Sequence, residues 1–126
     1  MPIVGTGVDL AEVGRIEQSL KNFGARFQSR IYTPREIAYC ERFKNRAERY
    51  AARFAAKEAG MKALGTGWRR GIRWVDLEVV RQPGGRPTLV FSGEAARIAE
   101  RMGVRHVALS LTHTAGQALA QVILES

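Results

Sequence analysis

Apolar residues along the chain alternate between two periods. In MPIVGTGVDLA, Ile3, Val4, Val8 and Leu10 are apolar, and Gly5 and Gly7 stand among them. This reads as a first strand whose glycines let other backbone come close. In EVGRIEQSLKNF, Val13, Ile16 and Leu20 recur at spacings of three and four, the period of a helix. FGARFQSRIYT is predicted to be a turn and a short helical piece. Thr33-Pro34-Arg35-Glu36 has the chemistry of a helix start, with Thr as N-cap, Pro at the first helical position and Glu at the third. That helix runs through REIAYCERF. A long Ala-rich helix is predicted from Arg46 to Leu64, with Tyr50, Phe54, Met61 and Leu64 near one face and Gly65 capping its end. VDLEVVRQ alternates like a strand, and GGRPTLVF reads as the return strand of a hairpin. Ser92 is placed to cap the helix GEAARIAERMG, with Ala95 where a full capping box would carry Glu or Gln. HVALSLTHT and QALAQVILE are two strands joined by a tight turn around Ala115-Gly116. The order strand, helices, hairpin, helix, hairpin predicts an α+β fold, a mainly antiparallel sheet packed with a long central helix and shorter helices. At 126 residues it is expected to form a single domain over residues 1–126.

Composition narrows the class. No run of 18 apolar residues exists, so no membrane span is expected. The N-terminus lacks a basic n-region and contains acids, unlike a secretory signal. The single cysteine, Cys40, excludes an internal disulfide and a cysteine-based zinc cluster, and a cytoplasmic location fits. The net charge is +8, with 20 Lys+Arg against 12 Asp+Glu, which predicts attraction to polyanions. The cations are largely arginine and are spread along the chain rather than collected in a tail. A small basic nucleic-acid-binding module is therefore the alternative reading. Against it, no RRM, KH, helix-turn-helix or zinc-finger signature is present, and aromatics are not interleaved with the cations as stacking platforms.

Chemistry concentrates in RFAAKEAGMKALGTG. Glu58 and Lys62 share a helix face, and Arg53 and Lys57 form a second row. These residues read either as a solvated ion-paired surface or as a grip on a polyphosphate with a metal. Gly65-Thr66-Gly67 reads either as a helix C-cap and turn or as backbone amides approaching a phosphate. It is no Walker loop, since the glycines follow the helix instead of preceding one. Asp9 reads as an N-cap for the following helix or as a ligand of a hard cation. His113 reads as a hydrogen-bonded structural residue or a phosphate donor, while His106 has no assigned role. Cys40 is expected to be semi-buried. Trp68 and Trp74 are expected in the core or at a subunit contact, with Trp68 able to shape a pocket.

Three blocks, GTGVDLAEVGRI, RFAAKEAGMKALGTG and LSLTHTAGQALAQVILE, together resemble the signature regions of the bacterial holo-[acyl-carrier-protein] synthases, small 4′-phosphopantetheinyl transferases. The resemblance covers essentially the whole chain. One departure is Gly60-Met61, where the family usually has a bulky aromatic followed by a small residue. The resemblance implies the 4′-phosphopantetheinyl transferase fold and Mg²⁺-dependent transfer of phosphopantetheine from coenzyme A to a serine of an apo acyl-carrier protein. Adenosine 3′,5′-bisphosphate would be released. Asp9 and Glu58 would be the metal ligands and Lys62 the residue that neutralises the pyrophosphate, these three forming the catalytic set. Arg53, Lys57, Lys62, Gly65, Thr66, Gly85, Arg86, Pro87 and His113 would lie along the coenzyme A site. A water beside the metal or Glu58 would take the serine proton. The resemblance also implies a homotrimer with active sites between subunits, and a role in fatty-acid biosynthesis.

The second substrate bears on the first helices. From Val13 to Arg35 the chain carries Arg15, Lys21, Arg26, Arg30 and Arg35 against Glu17 alone. Carrier proteins are acidic, and the resemblance implies docking here. Arg15, Arg26 and Arg30 are expected to meet carboxylates, with Phe27 as an apolar anchor.

Overall fold

The computed structural model describes residues 2–67 and 71–126. Trp68, expected to shape a pocket, lies outside the described residues. Strand β1 (Ile3–Glu12) leads into helices α1 (Val13–Phe23), α2 (Ala25–Ile31) and α3 (Pro34–Cys40). The long helix α4 (Arg46–Ala63) follows, then a 3-10 turn (Trp74–Asp76) and the hairpin β2 (Leu77–Arg81) and β3 (Pro87–Phe91). Helix α5 (Gly93–Met102) and the strands β4 (His106–His113) and β5 (Gln117–Glu125) complete the fold.

The sheet is antiparallel, as expected, but is divided. β5 lies between β1 and β4 in one sheet, and β2 and β3 pair alone. Along β5 the side chains of Ala118, Ala120, Val122 and Leu124 are fully buried, which is the strand alternation of a sheet with one covered face. The cover is α4. Its alanines (Ala51, Ala55, Ala59 and Ala63 among them) are buried, and their small size lets the helix lie close on the sheet. The approach is closest at β1, where a Cβ on Gly7 would overlap the Ala59 carbonyl oxygen and one on Gly5 the Ala63 carbonyl oxygen. Both glycines are there because helix backbone occupies the space of a side chain.

The other side of α4 is also covered. Tyr50, Met61 and Leu64 are buried, as their shared face predicts. Gly60 faces the hairpin: a Cβ there would come within 2.7 Å of Leu77 Cδ2 and 2.9 Å of Leu89 Cδ1. Leu77 and Leu89 fill the space beside Gly60, and Met61 is buried.

Local signals at the helix ends divide into those realised and those not. Thr33 and Glu36 form the full capping box, with Glu36 N–H donating to Thr33 Oγ1 (3.3 Å) and Thr33 N–H to Glu36 Oε1 (2.9 Å). Gly65 takes a positive φ of 77° just past α4, the left-handed position of a C-cap. Ser92 occupies the N-cap of α5 without a side-chain cap bond. Asp9 is no N-cap: α1 starts four residues further on with Glu12 at its N-cap, and its first amide, Val13 N–H, donates to Gly116 O at 3.0 Å. Cys40 is fully buried rather than semi-buried, and burial pushes its thiol up to about 12. No helix of the described residues is long and apolar enough to cross a membrane.

Candidate functional site

The glycines that seat α4 on β1 also decide what meets there. Gly5, Gly7, Asp9 and Ala11 alternate onto the strand face turned toward the helix. With Gly7 against Ala59 and Gly5 against Ala63, Asp9 is carried beside the helical turn of Glu58 and Lys62. Lys62 Nζ lies 2.7 Å from Asp9 Oδ1 and donates to Val8 O at 3.1 Å. The Glu58–Lys62 surface pair suggested by helix spacing is replaced by this bond from helix to strand. Glu58 is half-buried and within hydrogen-bonding reach of Asp9. Burial, then the hydrogen bond to Asp9 and its charge, push the Glu58 carboxyl up to about 7, while Lys62 opposes the shift. The bond to Asp9 in turn holds the Lys62 ammonium above its ordinary value.

Two carboxylates drawn together in a partly dry cleft repel, and one lysine compensates incompletely. That donor set fits a divalent cation of the hard, oxygen-loving kind. Among the described residues no cluster of three or more His, Cys, Asp or Glu side chains forms. A cation held by Asp9 and Glu58 would take its remaining ligands from water and from an anionic substrate.

The other expected site residues do not join this cleft. Lys57 is in the core, not on a flank. It is fully buried, with Nζ 2.7 Å from Glu36 Oε1 and further bonds to the carbonyls of Trp74 (3.2 Å) and Leu77. Burial lowers its pKa, and Glu36 opposes that shift. The expectation that Lys57 faces a polyphosphate is corrected: its ammonium is enclosed by protein. Arg53 is also buried, with its guanidinium 4.1 Å over the Tyr39 ring and its Nε unpartnered among the described residues. Five residues separate it from Glu58, which is about 140° around the helix, so it lies on the opposite flank.

The amides after the helix are also engaged. Gly65 N–H donates to Lys62 O (2.9 Å), and Thr66 N–H and Gly67 N–H both donate to Met61 O (3.2 and 3.3 Å). Thr66 Oγ1 donates to Gly67 O at 2.8 Å. The C-cap reading of this turn holds, and these N–H groups do not form an anion cradle. Arg86 and Pro87 wall a groove against Val107–Leu111 of β4, beyond β5 from Asp9. His113, at the end of β4, has Nδ1 3.5 Å from Glu48 Oε1. Glu48 precedes Glu58 by ten residues, about 15 Å along the helix. Asp9, Glu58 and Lys62 thus form one group on one flank of α4, Arg53, Gly85-Arg86-Pro87 and His113 a second group away from it, while Lys57 lies in the core and Gly65-Thr66 in the turn after the helix.

Beside Glu58 a groove opens between β1, α1 and α4, lined by Leu10, Arg15, Phe27 and Phe54. It continues into an apolar trough of about 600 Å³ walled by Phe23, Phe27, Ile31, Phe54 and Trp74, with Arg26 and Arg30 on its lining. Phe54 and Trp74 stack at 4.9 Å and 21°. Arg15 is exposed and loosely paired with Glu12 at 3.7 Å. Arg26, Phe27 and Arg30 line the trough, and Arg15 lines the adjoining groove with Phe27. Sequence reasoning missed Phe23 and the Phe54–Trp74 wall. Periodicity places Phe54 on the core face of its helix, and its partial exposure leaves no periodic signal.

The profile of the family described as the 4′-phosphopantetheinyl transferase superfamily matches residues 5–122. The holo-[acyl-carrier-protein] synthase of Solibacter usitatus is 64% identical over 124 residues, covering 98% of this chain and 99% of the relative. The crystal structure of holo-[acyl-carrier-protein] synthase from Neisseria meningitidis superposes with a TM-score of 0.90 at 32% identity, covering 99% of this chain and 100% of that one. A holo-(acyl-carrier-protein) synthase from Bacillus anthracis in complex with CoA (3′,5′-ADP) superposes with a TM-score of 0.81 at 39% identity, covering 98% and 97%. Sequence and fold agree: the chain belongs to the 4′-phosphopantetheinyl transferase superfamily.

Proposed function

We propose that the chain transfers 4′-phosphopantetheine from coenzyme A to a serine of an apo acyl-carrier protein and releases adenosine 3′,5′-bisphosphate, with Mg²⁺ as cofactor. The observation that carries the reading is the convergence of Asp9, Glu58 and Lys62 from distant parts of the chain onto one cleft. Relatives solved with coenzyme A or its bisphosphate fragment support the donor substrate.

In the reaction the serine oxygen bonds to the phosphorus that carries pantetheine. The bond from that phosphorus to the bridging oxygen breaks, the bisphosphate leaves with the electron pair, and the serine proton passes to a base. Such transfers ask the protein mainly for positioning and charge neutralisation. Asp9 and Glu58 would hold the cation. When bound, it supplies positive charge at the pyrophosphate oxygens. Lys62, at the mouth of the cleft, would neutralise charge on the leaving phosphate. The nucleophile comes with the carrier protein, so the chain needs no serine or cysteine of its own. Arg26 and Arg30 beside the trough, with Arg15 at its edge, match an acidic partner, and Phe27 offers it an apolar contact.

A homotrimer with shared sites belongs to the same reading. The second group of residues lies away from Asp9 in its own chain, so a neighbouring copy would supply Arg53, Gly85-Arg86-Pro87 and His113. Support comes from the uncovered sheet edge, where Ile3, Val8 and Leu10 are each more than half exposed. A cytoplasmic location goes with this reading.

Incubation of the protein with coenzyme A, Mg²⁺ and an apo carrier protein, followed by intact mass, tests it. A gain of one phosphopantetheine is expected. No gain, with salt-sensitive retention of RNA instead, would replace the transferase with a nucleic-acid module.

A further inference from the structure

Lys57 and Glu36 form a closed polar knot in an otherwise apolar interior. Both side chains are essentially without exposure. The ammonium has three hydrogens and three acceptors: Glu36 Oε1, Trp74 O and Leu77 O. The carboxylate is equally complete. Oε1 also accepts Thr33 N–H at 2.9 Å, and Oε2 accepts Val79 N–H at 2.8 Å. Three segments distant in sequence thereby meet at one ion pair: the start of α3, the entry to β2, and α4.

A buried ion pair is a weak source of stability, because desolvating both charges offsets most of their attraction. Its geometry is demanding, however, and it tolerates little displacement of the segments it joins. Its position in the fold gives that geometry a use. Lys57 is the residue before Glu58. On one side of Glu58, Gly5 and Gly7 seat α4 on β1 through Ala59 and Ala63. On the other, the knot fixes α4 against α3 and β2. The same ammonium holds the carbonyl of Trp74, whose ring stacks on Phe54, and Phe54 lines the groove together with Glu58.

Resting on the transferase reading above, we infer that Lys57, through Glu36 and the Trp74 carbonyl, is a positioning residue that sets Glu58 and the Phe54–Trp74 wall relative to each other. It does so without touching coenzyme A. Metal cleft and acceptor groove are then aligned by one interior contact.

The test is a double-mutant cycle of Glu36→Gln, Lys57→Met and the two combined. It is read by thermal melting, by Mn²⁺ binding in electron paramagnetic resonance, and by kcat and KM. Each single variant leaves a buried partner unmatched, so both are expected to melt lower, and the combined variant to recover the part due to an unmatched charge but not the lost bonds to the Trp74 and Leu77 carbonyls. All three are expected to bind Mn²⁺ more weakly and to lose roughly tenfold or more in kcat, the scale of a small misplacement. KM for coenzyme A is expected to stay within about twofold. The two single losses are expected to be non-additive, as for residues in one network. A combined variant with wild-type kcat and Mn²⁺ affinity would reduce the knot to filler of the fold. A raised KM for coenzyme A in Lys57→Met, absent in Glu36→Gln, would make Lys57 a substrate contact. Should the combined variant not fold, Lys57→Arg keeps the charge but cannot reproduce the three bonds, and the same kcat and Mn²⁺ losses at wild-type KM are required of it. Failure of the wild type to modify a carrier protein sinks the transferase reading itself, whereas wild-type transfer with unaltered variants sinks only the positioning role.

Discussion

Lys62 reaches across from helix to strand and sets its Nζ 2.7 Å from Asp9 Oδ1, although Glu58 stands one turn away on its own helix. The bond ties α4 to β1 at the cleft where the two carboxylates meet. Because Lys62 is more than half exposed, the pair is worth little to stability, within about 1 kcal/mol. Its value lies in the charge held at the site. Lys62→Ala is expected to leave thermal melting nearly unchanged and to lower kcat by about 10²–10³-fold, the range for removing one preorganised charge. Steady-state kinetics beside a melting curve check both halves.

The meeting of Asp9 and Glu58 depends on the absence of a side chain at Gly7. A methyl there overlaps the Ala59 carbonyl, and backbone on both sides must move apart. Gly7→Ala is expected to cost about 1–3 kcal/mol in chemical denaturation. It should weaken Mn²⁺ binding beyond what the stability loss explains, since Asp9 moves with the strand. Gly14 has open space around it, and Gly14→Ala serves as the control expected to show neither effect.

The raised Glu58 carboxyl links stability to pH in protein stripped of divalent cations. Its ordinary value is 4.5 and its folded value about 7, so between these the folded state holds a proton that the unfolded state has lost. Folding is then favoured by this group below 4.5, and the contribution is lost as pH rises through 7. Half the group is open to water, so the loss is discounted to about 1 kcal/mol. In chelator, melting temperature should fall from pH 5 toward pH 8 relative to Glu58→Gln. At pH 8 that variant should be the more stable protein and inactive. Added Mg²⁺ should restore the wild type alone.

The docking proposed for Arg26 and Arg30 would make carrier-protein recognition electrostatic. Charge reversal at either is expected to raise the carrier KM roughly tenfold at low salt, with the gap closing as salt screens the encounter. Arg15→Glu should do less, because Arg15 already has Glu12 beside it. KM for coenzyme A should be indifferent to all three. A carrier KM that ignores both salt and these reversals would remove the docking face.

What the sequence made legible was local. The capping box at Thr33 and Glu36, the glycines of β1 and the left-handed Gly65 are each signalled by neighbours within a few residues, and each formed as expected. Strand position and helix spacing single out Asp9 and Glu58 separately, and only the resemblance pairs them; no spacing rule joins residues 49 apart. Lys57 departs from its sequence expectation for the converse reason. A lysine at helical spacing among other charges looks solvated, and its partner Glu36 belongs to another helix. The Ala-rich run signals helix propensity but not that its methyls are the contact with the sheet. Two-sided burial of α4 therefore escaped the periodicity.

The separation of His113 and Arg86 from Glu58 within one chain makes subunit sharing measurable. Glu58→Gln and the double variant Arg86→Ala/His113→Ala are each expected to be inactive alone. If every site lies within one chain, co-refolded mixtures also stay inactive, since each chain carries one defect. If each site joins the Glu58 flank of one copy to the His113 flank of the next, as head-to-tail closure requires, an equal mixture restores a share of the sites. Random assembly gives one half for each flank, hence about one quarter of wild-type activity. Activity assays on co-refolded mixtures, with size measured by ultracentrifugation, distinguish the two arrangements: zero recovery in a stable oligomer means that each chain completes its own site.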